Sequence, residues 1–235
     1  MTPSKCSIVA LVCLVAVCSV AAPQPVYGFP IYTNLGAGDS FDATLGHGVG
    51  AYYADPFCMV GCLLLPDGKL AASFTAGLDY TLDALAFAVA YNSGPNALQV
   101  YLADSALSST GAPSPGNSLE SYALSNLSST PMLYAVDSSA HTLLTAGSTY
   151  WLVLYGAGMT QMTWLNNNQG VTSPFYQQNG DGPWAPSGLG LNVNTPAFAV
   201  YGTPSVAPVP EPSTLLLLGT GLAGLGGVAW RRRRK

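Results

Sequence analysis

The sequence has little charge, and least of all positive charge. Only 8% of its 235 residues are Asp, Glu, Lys or Arg, whereas soluble domains have about 25%. Lys69 is the only Lys or Arg between Lys5 and Arg231, and the stretch from Asp39 to Asp181 sets ten acidic residues against it, a net charge of −9. One cation cannot neutralise a row of phosphates, so this composition excludes nucleic-acid binding.

Histidine and cysteine, which carry much of enzyme chemistry, are also scarce. The chain has two histidines and five cysteines, and it contains no G-x-S-x-G, no H-E-x-x-H and no Cys–His nucleophile setting. Asp79 and Asp83 have a spacing that suits a glycosidase carboxylate pair. Because they flank a hydrophobic strand, solvated charges that oppose aggregation explain them better. The sequence therefore favours a protein that is not an enzyme, with an exported hydrolase as a remote alternative.

The N-terminus has the pattern of an export signal. Lys5 precedes an apolar run over 8–20, which is followed by two alanines and then by prolines. A positive start, an apolar centre and small residues at the end are typical of a secretory signal peptide. We predict a signal peptide over 1–22, removed by signal peptidase, and a short linker over 23–28.

The C-terminus combines a proline motif, an apolar run and a basic cluster. A Pro-rich linker over 204–209 leads to Pro210, Glu211 and Pro212, and residues 215–230 are apolar, about 24 Å long as a helix. With snorkelling basic side chains, such a run predicts a transmembrane helix whose basic end stays in the cytoplasm. That basic cluster consists of Arg231, Arg232, Arg233, Arg234 and Lys235.

This order of features at residues 210–235 resembles the PEP-CTERM sorting signal of Gram-negative bacteria. The resemblance implies that a membrane-embedded exosortase recognises the Pro-Glu-Pro motif and the span, and cleaves near the motif. It also implies a transient inner-membrane anchor, followed by transfer to the cell surface or release, in bacteria that make exopolysaccharide. An ordinary permanent C-terminal anchor is the alternative.

The body between these ends, residues 29–203, alternates in hydrophobicity with the period of a strand. Leu85, Phe87 and Val89 point to one side and the alanines between them to the other, as in a central strand covered on both faces. We predict an all-β fold, a single β-sandwich of jelly-roll type. The candidate strands, separated by Gly, Pro, Ser and Asn clusters, are 49–53, 70–75, 80–91, 97–104, 119–124, 133–137, 149–155, 161–165 and 197–201.

Three phrases of the body carry a second resemblance. They are residues 34–41 (NLGAGDSF), 144–153 (LTAGSTYWLV) and 196–202 (PAFAVYG). These are similar to the β-sandwich domains found ahead of interchangeable surface anchors, called choice-of-anchor domains. The resemblance implies a fold and an exported setting, and it transfers no catalytic or binding residue.

Cys58 and Cys62 are the only cysteines that remain once the signal peptide is removed. In an oxidising compartment we expect a disulfide between them, closing a tight loop in which Gly61 lets the backbone turn. The bridge requires Cα atoms within about 7 Å of each other. A metal site and a labile redox pair are the alternatives.

Aromatic and amide side chains gather between Trp164 and Trp184. Flat aromatic faces stack on sugar rings, and amides both donate and accept hydrogen bonds. With almost no cation nearby, such a surface suits a neutral glycan, for example an exopolysaccharide. The candidate glycan contacts are Trp164, Asn166, Asn167, Asn168, Tyr176 and Trp184. The alternative places the tryptophans in the core and the asparagines in turns.

Asp39 and Asp42, beside two glycines, are candidate oxygen ligands for a structural calcium ion. A plain Asx-type turn is favoured over calcium at this position, and no other cofactor is predicted. Together these features predict an exported, exosortase-processed β-sandwich protein of the cell surface or extracellular matrix with a structural or interaction role. The alternative function is a carbohydrate-binding module for neutral exopolysaccharide.

Overall fold

The computed structural model describes residues 28–50, 52–53, 64–65, 68–108, 111–173, 175–186 and 194–205. The signal peptide, Cys58, Cys62 and the sorting signal over 210–235 lie outside them. Within the described ranges, no helix is long and apolar enough to cross a membrane.

A 3₁₀ turn spans Ala157–Met159. The strands are β1 (Phe29–Thr33), β2 (Asp42–Gly50), β3 (Tyr52–Tyr53), β4 (Leu64–Leu65), β5 (Lys69–Thr75), β6 (Tyr80–Ser93), β7 (Ala97–Leu107), β8 (Pro113–Ser125), β9 (Met132–Asp137), β10 (Leu143–Leu144), β11 (Thr149–Gly156), β12 (Gln161–Asn166), β13 (Phe175–Gln178), β14 (Ala185–Pro186) and β15 (Phe198–Pro204).

These strands form two larger antiparallel sheets. The seven-stranded sheet has the order β1-β15-β6-β12-β2, and β9 and β10 also pair with β6. The six-stranded sheet has the order β14-β13-β5-β11-β7-β8, and β3 pairs with β4 separately. The prediction of an all-β fold is confirmed.

The long central strand β6 shows why this sequence forms sheets. Phe87 and Val89 lie in the main core, fully buried, while Ala86 and Ala88 face the other side of the sheet. Leu35 packs on that alanine side with the help of the half-buried Phe41. Small residues on one face let a loop approach closely, so β6 is covered on both faces as its alternation predicts.

Aromatic side chains from both sheets meet in one core. Phe74 of β5 lies with its ring centroid 6.4 Å from that of Phe198 on β15. Tyr32 of β1 contacts both, at 6.1 Å and 4.8 Å, and Trp164 of β12 lies 6.1 Å from Phe198. The body is therefore β-sandwich-like, and burial of these rings is the main force that holds the sheets together.

Asn34 joins the loop after β1 to the start of β15. Its main-chain N–H donates to the carbonyl of Phe198 at 3.2 Å, and its Oδ1 accepts from the N–H of Phe198 at 2.8 Å. Its Nδ2 donates to the carbonyl of Pro196 at 2.8 Å. One buried amide thus extends the pairing of β1 beyond the strand and fixes the loop that carries Leu35.

Candidate binding surface

Trp164, the first predicted glycan contact, lies in the core. Its side chain is fully buried, and its Nε1 donates to the carbonyl of Ala197 at 3.0 Å. β12 lies between β6 and β2, and the alternation of β12 turns this ring towards the opposite sheet. The prediction that Trp164 contacts a ligand is therefore wrong, and its alternative as a core residue is right.

Asn167 is also buried, and the turn after β12 uses its whole amide. Its Nδ2 donates to the carbonyls of Val171 at 2.8 Å and Thr195 at 2.7 Å. Its Oδ1 accepts from the N–H groups of Gln169 at 3.0 Å and Val171 at 2.9 Å. Because no hydrogen-bonding capacity is left for a sugar, the predicted contact at Asn167 is wrong as well.

The neighbouring asparagines differ in their exposure. Asn166 is buried, and among the described residues its Oδ1 has no hydrogen-bond partner. Asn168 is exposed, donates from Nδ2 to Ser40 Oγ at 3.0 Å and accepts at Oδ1 from Gln169 Nε2 at 2.7 Å. Of the three, only Asn168 presents an amide at the surface, where it holds the loop that carries Ser40.

Of the candidate calcium ligands, Asp39 lies in the turn before β2 and Asp42 is the first residue of β2. Asp42 Oδ1 accepts from the hydroxyl of Thr44 at 2.6 Å and from the N–H groups of Thr44 at 2.8 Å and Leu45 at 3.2 Å. The hydroxyl bond is the main reason that the pKa of Asp42 is lowered. Asp39 is exposed at positive φ, 58°. No group of three His, Cys, Asp or Glu residues forms a metal site in the described ranges, and calcium at this loop stays a prediction.

Tyr176 and Trp184 lie on the outer face of the six-stranded sheet, away from Trp164. Tyr176 is buried, with 7% of its surface exposed, and meets the buried Trp151 edge to face, with ring centroids 5.2 Å apart. Trp184 is half-buried and packs against the cluster of Ala71, Ala103, Trp151, Val153 and Tyr176. The predicted glycan contacts therefore separate onto two sheets, and these two stay together on one aromatic face.

The same outer face carries residues that the sequence analysis did not select. Tyr155 on β11 pairs in register with Lys69 on β5, and Tyr101 on β7 pairs with Val153 on β11. Lys69 Nζ lies 5.8 Å from the Tyr155 ring centroid and 3.7 Å from Asp181 Oδ1. These residues are far apart in sequence, and their shared surface arises from strand register, for which the sequence has no local signal.

These side chains border a groove of about 450 Å³, a size that lies within the usual range of small-molecule sites. Lys69, Tyr101 and Tyr155 lie on its sheet side. Gly116 and Ser118 of β8 form one rim of the groove, and Gly180 and Asp181 of the turn after β13 form the other. A glycine in each rim places no side chain over the groove.

Hydrogen bonds fix both rims of the groove. Asp104 on β7 accepts from the N–H of Asn117 at 2.6 Å and from its Nδ2 at 3.2 Å, which positions the β8 rim. In the other rim, the N–H of Gly182 donates to the carbonyl of Asn179 at 3.1 Å. Burial, with a smaller effect of Tyr155, raises the pKa of Tyr101 to about 12. The Tyr101 hydroxyl therefore keeps its proton, and its capacity to donate, at neutral pH.

The C-terminal sequence matches a known family over residues 208–234, the PEP-CTERM protein-sorting motif. The match confirms the sequence prediction and supports an exosortase substrate. The motif implies processing by an exosortase, with export and membrane-anchored sorting before release. The chain thus joins a β-sandwich-like body to a sorting motif. No curated protein and no solved structure matches this chain.

Proposed function

We propose that this protein is a non-enzymatic component of the bacterial cell surface or extracellular matrix, with a structural or interaction role. The sorting motif at 208–234 carries the proposal, because proteins with this motif are exosortase substrates. The body supports it through its scarcity of nucleophile and acid–base motifs. In this proposal the body is a jelly-roll sandwich of the choice-of-anchor type.

The proposed route uses both ends of the chain. Signal peptidase removes residues 1–22, and the span over 215–230 then anchors the chain in the inner membrane of a Gram-negative cell. The basic cluster from Arg231 to Lys235 holds the end of the span in the cytoplasm. Exosortase cleavage near Pro210–Pro212 frees the body for the surface or the matrix.

A cell that carries an exosortase allows a direct test. The wild-type chain is compared with a variant in which Pro210, Glu211 and Pro212 are all alanine, and with the linker substitution Ser205→Ala as the matched control. We expect the wild-type chain and the control in the surface or extracellular fraction without Lys235, and the triple variant in the membrane fraction with it. Mass spectrometry that finds Lys235 on the mature wild-type protein would overturn the processing step.

A second function, the binding of a neutral exopolysaccharide, is favoured by the aromatic outer face. Trp184, Tyr101 and Tyr155, all half-buried, gather there on one sheet, and aromatic rings with polar neighbours suit sugar rings. Affinity electrophoresis in gels that contain dextran, galactomannan or alginate tests it. Retardation by a neutral polymer that Trp184→Ala reduces, while the variant still unfolds in one cooperative transition, is the expected result. Unretarded migration in every gel would reject this function and leave the sorting proposal intact.

A further inference from the structure

We propose that the groove between Tyr101, Tyr155, Lys69 and Asp181 binds a vicinal diol of an uncharged sugar unit within a polysaccharide. The inference rests on the second function above and assigns it a site and a ligand chemistry. The predicted contacts Trp164 and Asn167 are not part of this site.

The sheet side of the groove offers the apolar part of the recognition. Tyr101 on β7 pairs directly with Val153 on β11, and Tyr155 lies two residues further along β11, so the two tyrosines are diagonal neighbours on one face. Both are half-buried, so their rings are held in place while an edge or a face stays accessible. A sugar ring presents C–H groups on its faces, and these pack favourably against such rings.

Lys69 and Asp181 offer the polar part. An ammonium group only donates hydrogen bonds and a carboxylate only accepts them, whereas each hydroxyl of a sugar does both. With 3.7 Å between Lys69 Nζ and Asp181 Oδ1, hydroxyls on two adjacent carbons can bind both groups at once. The side chain of Asp181 is fully exposed. Its pairing with Lys69 is therefore weak, and the two groups can rearrange around a ligand.

The charge of the groove selects the class of polymer. The two charges at the groove are opposite and cancel, and Lys69 is the only Lys or Arg between Lys5 and Arg231. The surrounding stretch carries a net charge of −9, which repels polyanions. A uronic-acid polymer therefore meets repulsion without a free cation to offset it, and a neutral polymer does not.

The test uses the exported protein purified from cells, with dextran, alginate and periodate-oxidised, borohydride-reduced dextran as probes. Periodate cleaves the carbon–carbon bonds between vicinal hydroxyls, so the oxidised and reduced polymer has lost the diols and, with them, its intact sugar rings. We expect binding to dextran that does not change between low and high NaCl, and at least about tenfold weaker binding to the other two polymers.

Four variants assign the binding to the groove. Tyr155→Leu keeps apolar bulk without the ring, and Asp181→Ala changes an exposed turn residue that the fold does not need. We expect each to weaken dextran binding about tenfold at unchanged Tm, the effect of one lost ring contact or one charge-assisted hydrogen bond. Phe29→Ala and Asp137→Asn, an exposed aromatic and an exposed carboxylate on the other sheet, are the matched controls and should bind as wild type does.

Each other outcome overturns a defined part of the proposal. Binding that survives both groove substitutions but is lost in Trp184→Ala refutes the groove and keeps the polysaccharide function. Equal binding of oxidised dextran refutes the diol, and preferred binding of alginate refutes the neutral ligand. If the wild-type protein binds none of the polymers, both the groove and the polysaccharide function fail.

Discussion

Replacing Glu120 with glutamine should remove much of the acid sensitivity of this fold. Glu120 on β8 is only 6% exposed. Its Oε1 accepts from Ser138 Oγ at 2.8 Å, from the N–H of Thr142 at 3.0 Å and from the Thr142 hydroxyl at 2.6 Å. Its Oε2 accepts from the Tyr122 hydroxyl. These bonds tie β8 to the segment between β9 and β10.

The size of the effect follows from the pKa of Glu120. Burial raises this pKa, but the hydrogen bonds from Thr142, Tyr122 and Ser138 outweigh burial and lower it from 4.5 to about 2. At 1.36 kcal/mol per pKa unit, the charged form contributes about 3 kcal/mol to the free energy of unfolding. Since the folded pKa lies below the unfolded one, this contribution is complete above about pH 5 and is lost as the pH falls towards about 2.

Urea unfolding at about pH 7 and about pH 3 measures this contribution. Between these conditions the wild-type protein should lose about 2 kcal/mol more stability than Glu120→Gln, because the amide has no proton to take up. Asp137→Asn, an exposed carboxylate on the neighbouring β9, is the control and should lose as much as wild type. Parallel losses in wild type and Glu120→Gln would refute the reasoning.

Three further experiments test the packing and the loops. Trp164→Ala should cost about 3–5 kcal/mol in urea unfolding, and a cost under about 1 kcal/mol would contradict its place in the core. Gly50→Ala should lower Tm far more than Gly38→Ala. Both glycines have positive φ, but a Cβ at Gly50 would meet the backbone carbonyl of Thr160, whereas a Cβ at Gly38 would meet open space. Equal decreases in Tm for the two variants would contradict this expectation. Asp42→Ala should lower Tm slightly, because the hydrogen bonds that its carboxylate accepts in the turn are lost. Chelators should leave the Tm of the wild-type protein unchanged. A calcium-induced rise in Tm that Asp42→Asn abolishes would instead make Asp42 a cation ligand.

The strands with the clearest alternation could be predicted from the sequence. Phe87 and Val89 of β6 face the core and Ala86 and Ala88 the other side, as their spacing indicates. This alternation is visible in the local sequence. Because β6 is buried on both faces, a shift of its register by one residue would put the large side chains on the side that accommodates only alanines.

Strands at the edges of the sheets were missed or shortened. β8 was predicted over 119–124 but spans Pro113–Ser125, because prolines at its start indicate a break while an edge strand tolerates them. β1, an edge strand that contains Pro30, and the four-residue β13, second from the edge of its sheet, were not predicted at all. Their pairing depends on β15 and β5, which are distant in sequence.

The candidate site shows a similar division. Composition pointed to aromatic residues, and Trp184 is half-buried on a sheet face. It could not distinguish Trp184 from Trp164, because a tryptophan has the same chemistry whether its strand turns it inwards or outwards. It also missed Tyr101 and Tyr155, whose outward direction follows from register.

The sorting of this protein by an exosortase could be predicted from the order of its residues along the chain alone. A sorting motif is recognised as a continuous segment, so Pro210–Pro212, the apolar span and the basic end are informative without any fold, and the match over 208–234 agrees. The candidate binding surface is different in kind. It exists because three strands place Lys69, Tyr155 and Tyr101 side by side, and that arrangement depends on many distant contacts acting together.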